Sequence, residues 1–263
     1  IKAKILGKKF LNFYDRNAPL SDIDDKKIPW ESAKNMVLEA YEEFNPQMRK
    51  IAEQFFDKNW IDAQVRDGKD SGAFSHSCVP SVHPYILMNY QGRVRDVMTL
   101  AHELGHGIHQ FLARKQGYLM ASTPLTLAET ASVFGEQLTF QKILKNEKDL
   151  HKKKFIIANK IEDMINTVVR QIAFLDFEKK IHDARKNGEI QLEKIGEFWQ
   201  QVQSESLGSA FKFHEDYKNF WCYIPHFIHS PFYVYSYAFG DCLVNSLYGI
   251  YQAKKIKNFE EKY

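Results

Sequence analysis

The sequence predicts a mainly α-helical single domain, residues 1–263, with one small β element. Three observations carry this prediction. Apolar residues recur at spacings of three and four over long stretches, turn residues concentrate between Trp60 and Tyr90, and no repeat, low-complexity tract or linker divides the chain. With 44% hydrophobic residues, there is enough apolar material to bury a sizeable core.

Between Trp30 and Lys58, the residues Val37, Tyr41, Phe44, Met48, Ile51 and Phe55 make the stripe of an amphipathic helix, broken at Asn45-Pro46 into two packed segments. Gly68, Gly72, Pro80 and Pro84 then punctuate the runs GAFSHS and HPYILMNY, which suit strands joined by turns. The next helix starts near Arg93, buries Val94, Val97, Met98, Ala101, Leu104, Ile108 and Phe111, and ends around Gly117. Thr123 as N-cap and Pro124 as first helical residue open a further helix through Glu129 and Glu136. Long helices follow over residues 155–188 and 191–206, with Gly188 as the stop between them. The final NFEEKY reads as the start of another helix.

A net charge of +3, from 36 basic and 33 acidic residues spread along the chain, argues against a surface dedicated to nucleic acid. The densest basic run, KNEKDLHKKKF (Lys145–Phe155), reads as a solvated stretch between helices. Cys78, Cys222 and Cys242 make neither a disulfide framework nor a metal clamp, which fits a reducing compartment. No apolar run is long enough for a membrane span, and IKAKILGKKF lacks the apolar core of a signal peptide. The expectation is a cytoplasmic protein with neither nucleic acid nor membrane as partner. Its oligomeric state is left open. The chain starts without Met and is expected to be a fragment of a longer protein.

The chemistry concentrates in TLAHELGHGIHQF, Thr99–Phe111, with three histidines and one glutamate. Residues four apart on a helix project from one side, so His102 and His106 can reach one ion. Glu103 lies beside that pair as a general base for an attacking water. His109 sits three residues past His106, but a rise of roughly 10 Å from His102 prevents all three histidines from sharing one ion. It reads either as a cleft-wall residue or as an ordinary polar contact. Glu129 on the next helix is the candidate third ligand, with Glu136 competing. Three ligands would leave an open, catalytic coordination shell.

Near the C-terminus, WCYIPHFIHSPFYVYSYAFGD places His226 and His229 among four tyrosines. If a helix runs from Pro231, Tyr233 and Tyr237 share a face and Tyr235 points away as a buried core tyrosine. His226, Tyr233 and Tyr237 are candidates for stabilising an oxyanion in an amide hydrolase.

These segments together resemble the zinc oligopeptidases of the thimet oligopeptidase and oligoendopeptidase F group, most closely the oligoendopeptidase F branch. The resemblance rests on Ala18-Pro19-Leu20, WIDAQVRDGKDSGAFS, HPYILMNY, TLAHELGHGIHQ, LAETASVFGE and IPHFIHSPFYVYSYAFGD, in that order along the chain. It implies a zincin-like helical catalytic domain with a small sheet or hairpin beside the active-site helix, flanking a deep channel that admits short unfolded peptides. It implies one zinc ion per chain on His102, His106 and Glu129, with Glu103 as general base. GAFS and HPYILMNY would form the strand edge along which substrate lies, implicating Gly72, Ala73 and His83, with His229 also on the substrate side. His226 and one tyrosine, Tyr237 in preference to Tyr233, would stabilise the oxyanion. Family members carry a substantial helical region before the part matched here, so this chain alone is expected to hold zinc and to hydrolyse peptides weakly. Two rivals remain open: a metal-dependent hydrolase of another small amide, and a helical module whose structural zinc takes His109 or His226 as a fourth ligand.

Overall fold

The computed structural model describes residues 2–18 and 27–263, so Pro19 and Leu20 of the Ala18-Pro19-Leu20 motif lie outside the described residues. The chain opens with the one-turn helix α1 (Lys2–Ile5) and the two-residue strand β1 (Leu11–Asn12). Helices α2 (Trp30–Phe44) and α3 (Pro46–Asp57) break where expected. Asn45 is extended, its side chain accepts a 2.8 Å hydrogen bond from the Gln47 amide, and Pro46 takes the first helical position.

Strands β2 (Ile61–Asp62), β3 (Phe74–His76) and β4 (Tyr85–Leu87) make one sheet in the order β2-β4-β3, with β2 parallel and β3 antiparallel to β4. Only the first of the two runs expected to form the edge does so. HPYILMNY supplies the central strand, because the short β2 pairs with its other side.

Helix α4 (Val94–Ala113) starts where the Asp96 carboxylate accepts the amides of Gln91 and Arg93 at 2.8 and 3.0 Å. It ends through a 3₁₀ turn at Gly117, whose φ of +79° few other residues adopt. Helix α5 (Leu125–Asn146) begins one residue later than expected, with Pro124 at the N-cap position and Thr123 outside the helix. The basic run is mostly helical rather than a solvated connection: α6 (Leu150–Ile165) starts at its middle, leaving only residues 147–149 between helices. A π-helical turn, Asn166–Arg170, separates α6 from α7 (Gln171–Arg185), and α8 (Leu192–Leu207) follows Gly188. Strand β5 (Phe211–Lys212) pairs in parallel with β1. The short α9 (His226–His229) precedes α10 (Tyr235–Gln252) and α11 (Phe259–Lys262). Helix α10 begins at Tyr235 and not at Pro231, because Phe232 takes a left-handed φ of +60° that helical continuation excludes.

The chain divides into two compact units. Asp24–Lys153 with Phe239–Tyr263 contains the sheet and a core of residues such as Val37, Tyr41, Phe55, Leu100, Leu104 and Phe134. Ile1–Ile23 with Lys154–Ala238 has its own core around Phe174, Phe177, Trp199 and Val202. No described helix is long and apolar enough to cross a membrane.

Candidate active site

The site grows out of the packing of α4 on α5. Val97, Leu100, Ala101, Leu104 and Ile108 bury one side of α4, which fixes the helix's rotation and sets His102 and His106 on a partly open side. Two glycines let the helices close. A Cβ on Gly105 would lie 2.7 Å from the Ala131 carbonyl oxygen, and one on Gly135 would lie 2.8 Å from the Ala101 carbonyl oxygen. That same carbonyl accepts a 2.6 Å hydrogen bond from the buried Tyr41 hydroxyl, which ties α2 to the turn preceding His102.

The close crossing delivers Glu129 to the histidines. Its carboxylate Oε2 stands 3.6 Å from His102 Nε2 and 3.8 Å from His106 Nε2, although Glu129 is only 1% exposed. Ser132 Oγ donates to the Glu129 carbonyl at 2.9 Å and to Oε2 at 3.3 Å. One potential ligand atom from each of His102, His106 and Glu129 lies within 4.8 Å of the others, so the three form a group that can hold a metal ion. Ligands about 2.1 Å from a tetrahedral ion stand roughly 3.4 Å apart, so modest side-chain motion suffices.

Glu136, the competing candidate, meets the other side of the His102 ring. Its Oε1 lies 2.5 Å from His102 Nδ1, on the opposite ring nitrogen from Glu129, where a carboxylate orients an imidazole. Burial holds the His102 imidazolium back, but the Glu136 hydrogen bond and the charges of Glu136, Glu129 and Glu103 outweigh it and bring its pKa up to about 9. Burial, with His102 adding like-charge repulsion, brings His106 down to about 3. His109 is the ordinary polar contact: its Nε2 meets the Thr123 hydroxyl at 2.8 Å, which explains why Thr123 caps nothing.

Glu103 is 5% exposed, and its buried Oε2 has no hydrogen-bond partner among the described residues. Burial pushes its carboxyl up to about 7, partly opposed by the charge of His102. A buried carboxylate oxygen without a hydrogen-bond partner, beside a group that can hold a metal ion, is costly for folding and suits a group that trades protons.

Around this centre, β3 forms the outer edge of the sheet and is tied to α4. Ser75 Oγ meets Gln110 Oε1 at 2.8 Å, and Gln110 Nε2 donates to the Ser75 carbonyl at 3.2 Å. Gly72 is exposed with φ +93°, and its carbonyl accepts from Asn89 Nδ2 at 3.2 Å; Ala73 packs against the core. His83 stacks on Trp60, ring centroids 3.9 Å apart, and its Nδ1 lies 3.0 Å from the Pro84 carbonyl oxygen.

The C-terminal candidates belong to the other unit and gather there. Tyr237 Oη lies 3.2 Å from His226 Nε2, and the Tyr233 ring packs 5.2 Å from His226 and 5.3 Å from Tyr237. His229 ends the short helix α9 and is exposed. Tyr235, expected in the core, is 38% exposed, because the late start of α10 turns it outward. Sequence reasoning did not find the glycine crossing, the Glu136 contact or the Gln110 tie; the last two residues stand inside the quoted motifs, but nothing in one sequence specifies their partners.

The family model described as Peptidase family M3 matches residues 3–261. An oligoendopeptidase F homolog of Borreliella burgdorferi is 36% identical over 97% of this chain and 44% of its own length. Oligopeptidase PepF of Bacillus subtilis is 30% identical over 94% of this chain and 37% of its own. The chain spans less than half the length of these relatives. Among solved structures, PZ peptidase A with an inhibitor aligns with a TM-score of 0.81 at 17% identity, covering 96% of this chain and 45% of that one. Oligoendopeptidase F of Enterococcus faecium aligns with a TM-score of 0.64 at 20% identity, covering 98% and 39%. At these identities the two structures bear on the fold alone.

Proposed function

Because the chain belongs to peptidase family M3, we propose that it is the metal-binding part of a zinc-dependent endopeptidase that cleaves internal bonds of short, unfolded peptides. The observation that carries this reading is the convergence of His102, His106 and Glu129, with Glu103, whose buried Oε2 has no hydrogen-bond partner among the described residues, on the helix of the two histidines. Two imidazoles and a carboxylate are a donor set of the open, catalytic kind, suited to one zinc ion per chain. When bound, zinc would supply Lewis-acid polarisation of the scissile carbonyl and of the attacking water.

The chain's own residues divide the remaining work. Glu103 takes the proton of the attacking water and returns it to the leaving nitrogen; a pKa near 7 suits a group that must both accept and donate. Glu136 fixes the His102 ring. An extended peptide would lie along the outer edge of β3, with Gly72 and Ala73 leading into it and His83 and His229 as side-chain contacts. Tyr237 and His226 stabilise the oxyanion, with Tyr233 packed beside them; the support is the resemblance of their segment to the family and the hydrogen-bonding distance the two already share. A cytoplasmic, reducing setting is supported by three free, exposed cysteines.

The test is product analysis by mass spectrometry of a mixture of short peptides incubated with the intact protein, with and without a chelator. Internal cleavage that the chelator stops and zinc restores is the expected result. Cleavage indifferent to the chelator, or confined to peptide ends, would contradict the reading.

A further inference from the structure

The unit formed by Ile1–Ile23 and Lys154–Ala238 contains a cavity of about 420 Å³ outside the residues assigned to peptide hydrolysis. Its walls are aromatic. Phe13 packs 5.0 Å from Phe220 and 4.7 Å from Tyr217, and Tyr14 is largely exposed beside them.

Two guanidinium groups, Arg16 and Arg170, line the same cavity. Arg170 is only 7% exposed, stacks over Phe174 at 4.8 Å and donates to the Tyr223 hydroxyl. It occupies the last position of the π-helical turn, a rare geometry that recurs at functional sites. Arg16 Nη1 is buried and has no hydrogen-bond partner among the described residues. Among those residues, neither guanidinium forms an ion pair with a carboxylate. Burying cationic donors favours an acidic partner, and here one guanidinium that is buried, Arg170, and one with a buried unpaired nitrogen, Arg16, face one cavity.

We propose that this cavity binds a carboxylate attached to an aromatic body, such as a free aromatic acid or the C-terminal end of a peptide finishing in an aromatic residue. The guanidinium fork matches a two-oxygen acceptor, and the rings supply stacking surface for the attached body. Aromatic walls suit a singly charged carboxylate better than a strongly hydrated phosphate dianion. The volume falls in the range of small-ligand pockets, roughly 300–1,000 Å³.

The test is calorimetric titration of the intact protein, stripped of metal by a chelator so that no probe carboxylate reads out on the metal centre. The probes are N-acetylphenylalanine, its uncharged amide, benzoate and inorganic phosphate. Saturable binding of an aromatic acid is expected, at least tenfold weaker for the amide and for phosphate. Tighter binding of N-acetylphenylalanine than benzoate assigns the site to a peptide end, and the reverse assigns it to a free aromatic acid. Arg16→Gln should weaken binding at least tenfold. Tyr14→Ala, at an exposed ring whose loss leaves the fold intact, should weaken it severalfold and stands in if Arg16→Gln does not fold. Equal affinity for acid and amide, phosphate as the tighter ligand, unchanged affinity in the folded variants, or no saturable binding at millimolar concentration would each overturn the proposal. None of these readouts depends on peptidase activity.

Discussion

Glu136 Oε1 lies 2.5 Å from Nδ1 of His102, while Glu129 approaches the same ring from its Nε2 side at 3.6 Å. One imidazole is thus held between a carboxylate that orients it and a carboxylate that shares its proposed metal. Removing the orienting partner should loosen the ring without removing a ligand. Glu136→Ala is expected to weaken zinc binding by about 10- to 100-fold, in line with losses of such supporting contacts elsewhere. Glu136→Gln, which keeps an acceptor, should lose less. Competition with a chromophoric chelator measures both, and unchanged affinity in the alanine variant would contradict the orienting role.

Gly105→Ala tests the helix crossing. Its new Cβ would meet the Ala131 carbonyl oxygen at 2.7 Å, and backbone on both helices leaves little freedom to relax. A loss of about 1–3 kcal/mol in unfolding free energy of the metal-free protein is expected. Weaker metal binding should accompany it as Glu129 withdraws. Denaturant titration and metal affinity check the two effects separately.

The sheet edge should report on pH. Asp62 is held down to about 2, first by its hydrogen bonds to Arg66 and then by Lys69, whose ammonium also donates to the Met88 carbonyl. A carboxyl whose pKa is lower in the folded than in the unfolded state, where about 3.9 is usual, contributes stability above the unfolded value and loses it on acidification. The stability gap between wild type and Asp62→Asn should therefore be constant above about pH 5 and close as pH falls from about 4 towards 2. Denaturation midpoints across that range measure it; a gap that widened on acidification would contradict the assignment.

Tyr237→Phe removes the hydroxyl that meets His226 while leaving the ring packed against Tyr233. If it stabilises the oxyanion, kcat should fall by about 10²- to 10³-fold with KM little changed. A KM effect alone would mark Tyr237 as a substrate contact.

Much of the group that can hold a metal ion was legible because it depends on local periodicity. His102 and His106 stand four apart on a helix whose apolar stripe already fixes its buried side, and Glu129 follows on the next helix. The glycine crossing was not, because Gly105 and Gly135 matter through backbone on the other helix. The central position of HPYILMNY depended on β2, two residues long and too short to show an alternating pattern. The π-helical turn Asn166–Arg170 is a slip in hydrogen bonding that leaves no compositional trace. Pro231 permits a helix start, yet the left-handed Phe232 delays it to Tyr235.

The most direct measurement is Glu103→Gln in the intact protein, assayed together for zinc content and for internal cleavage of peptides. The substitution removes the proposed proton acceptor and keeps the side chain's size, and Glu103 is not among the three residues grouped to hold a metal ion. Zinc content should stay at one ion per chain while turnover falls by about 10²-fold or more. Cleavage at the wild-type rate with zinc still bound would show that Glu103 does not carry the proton.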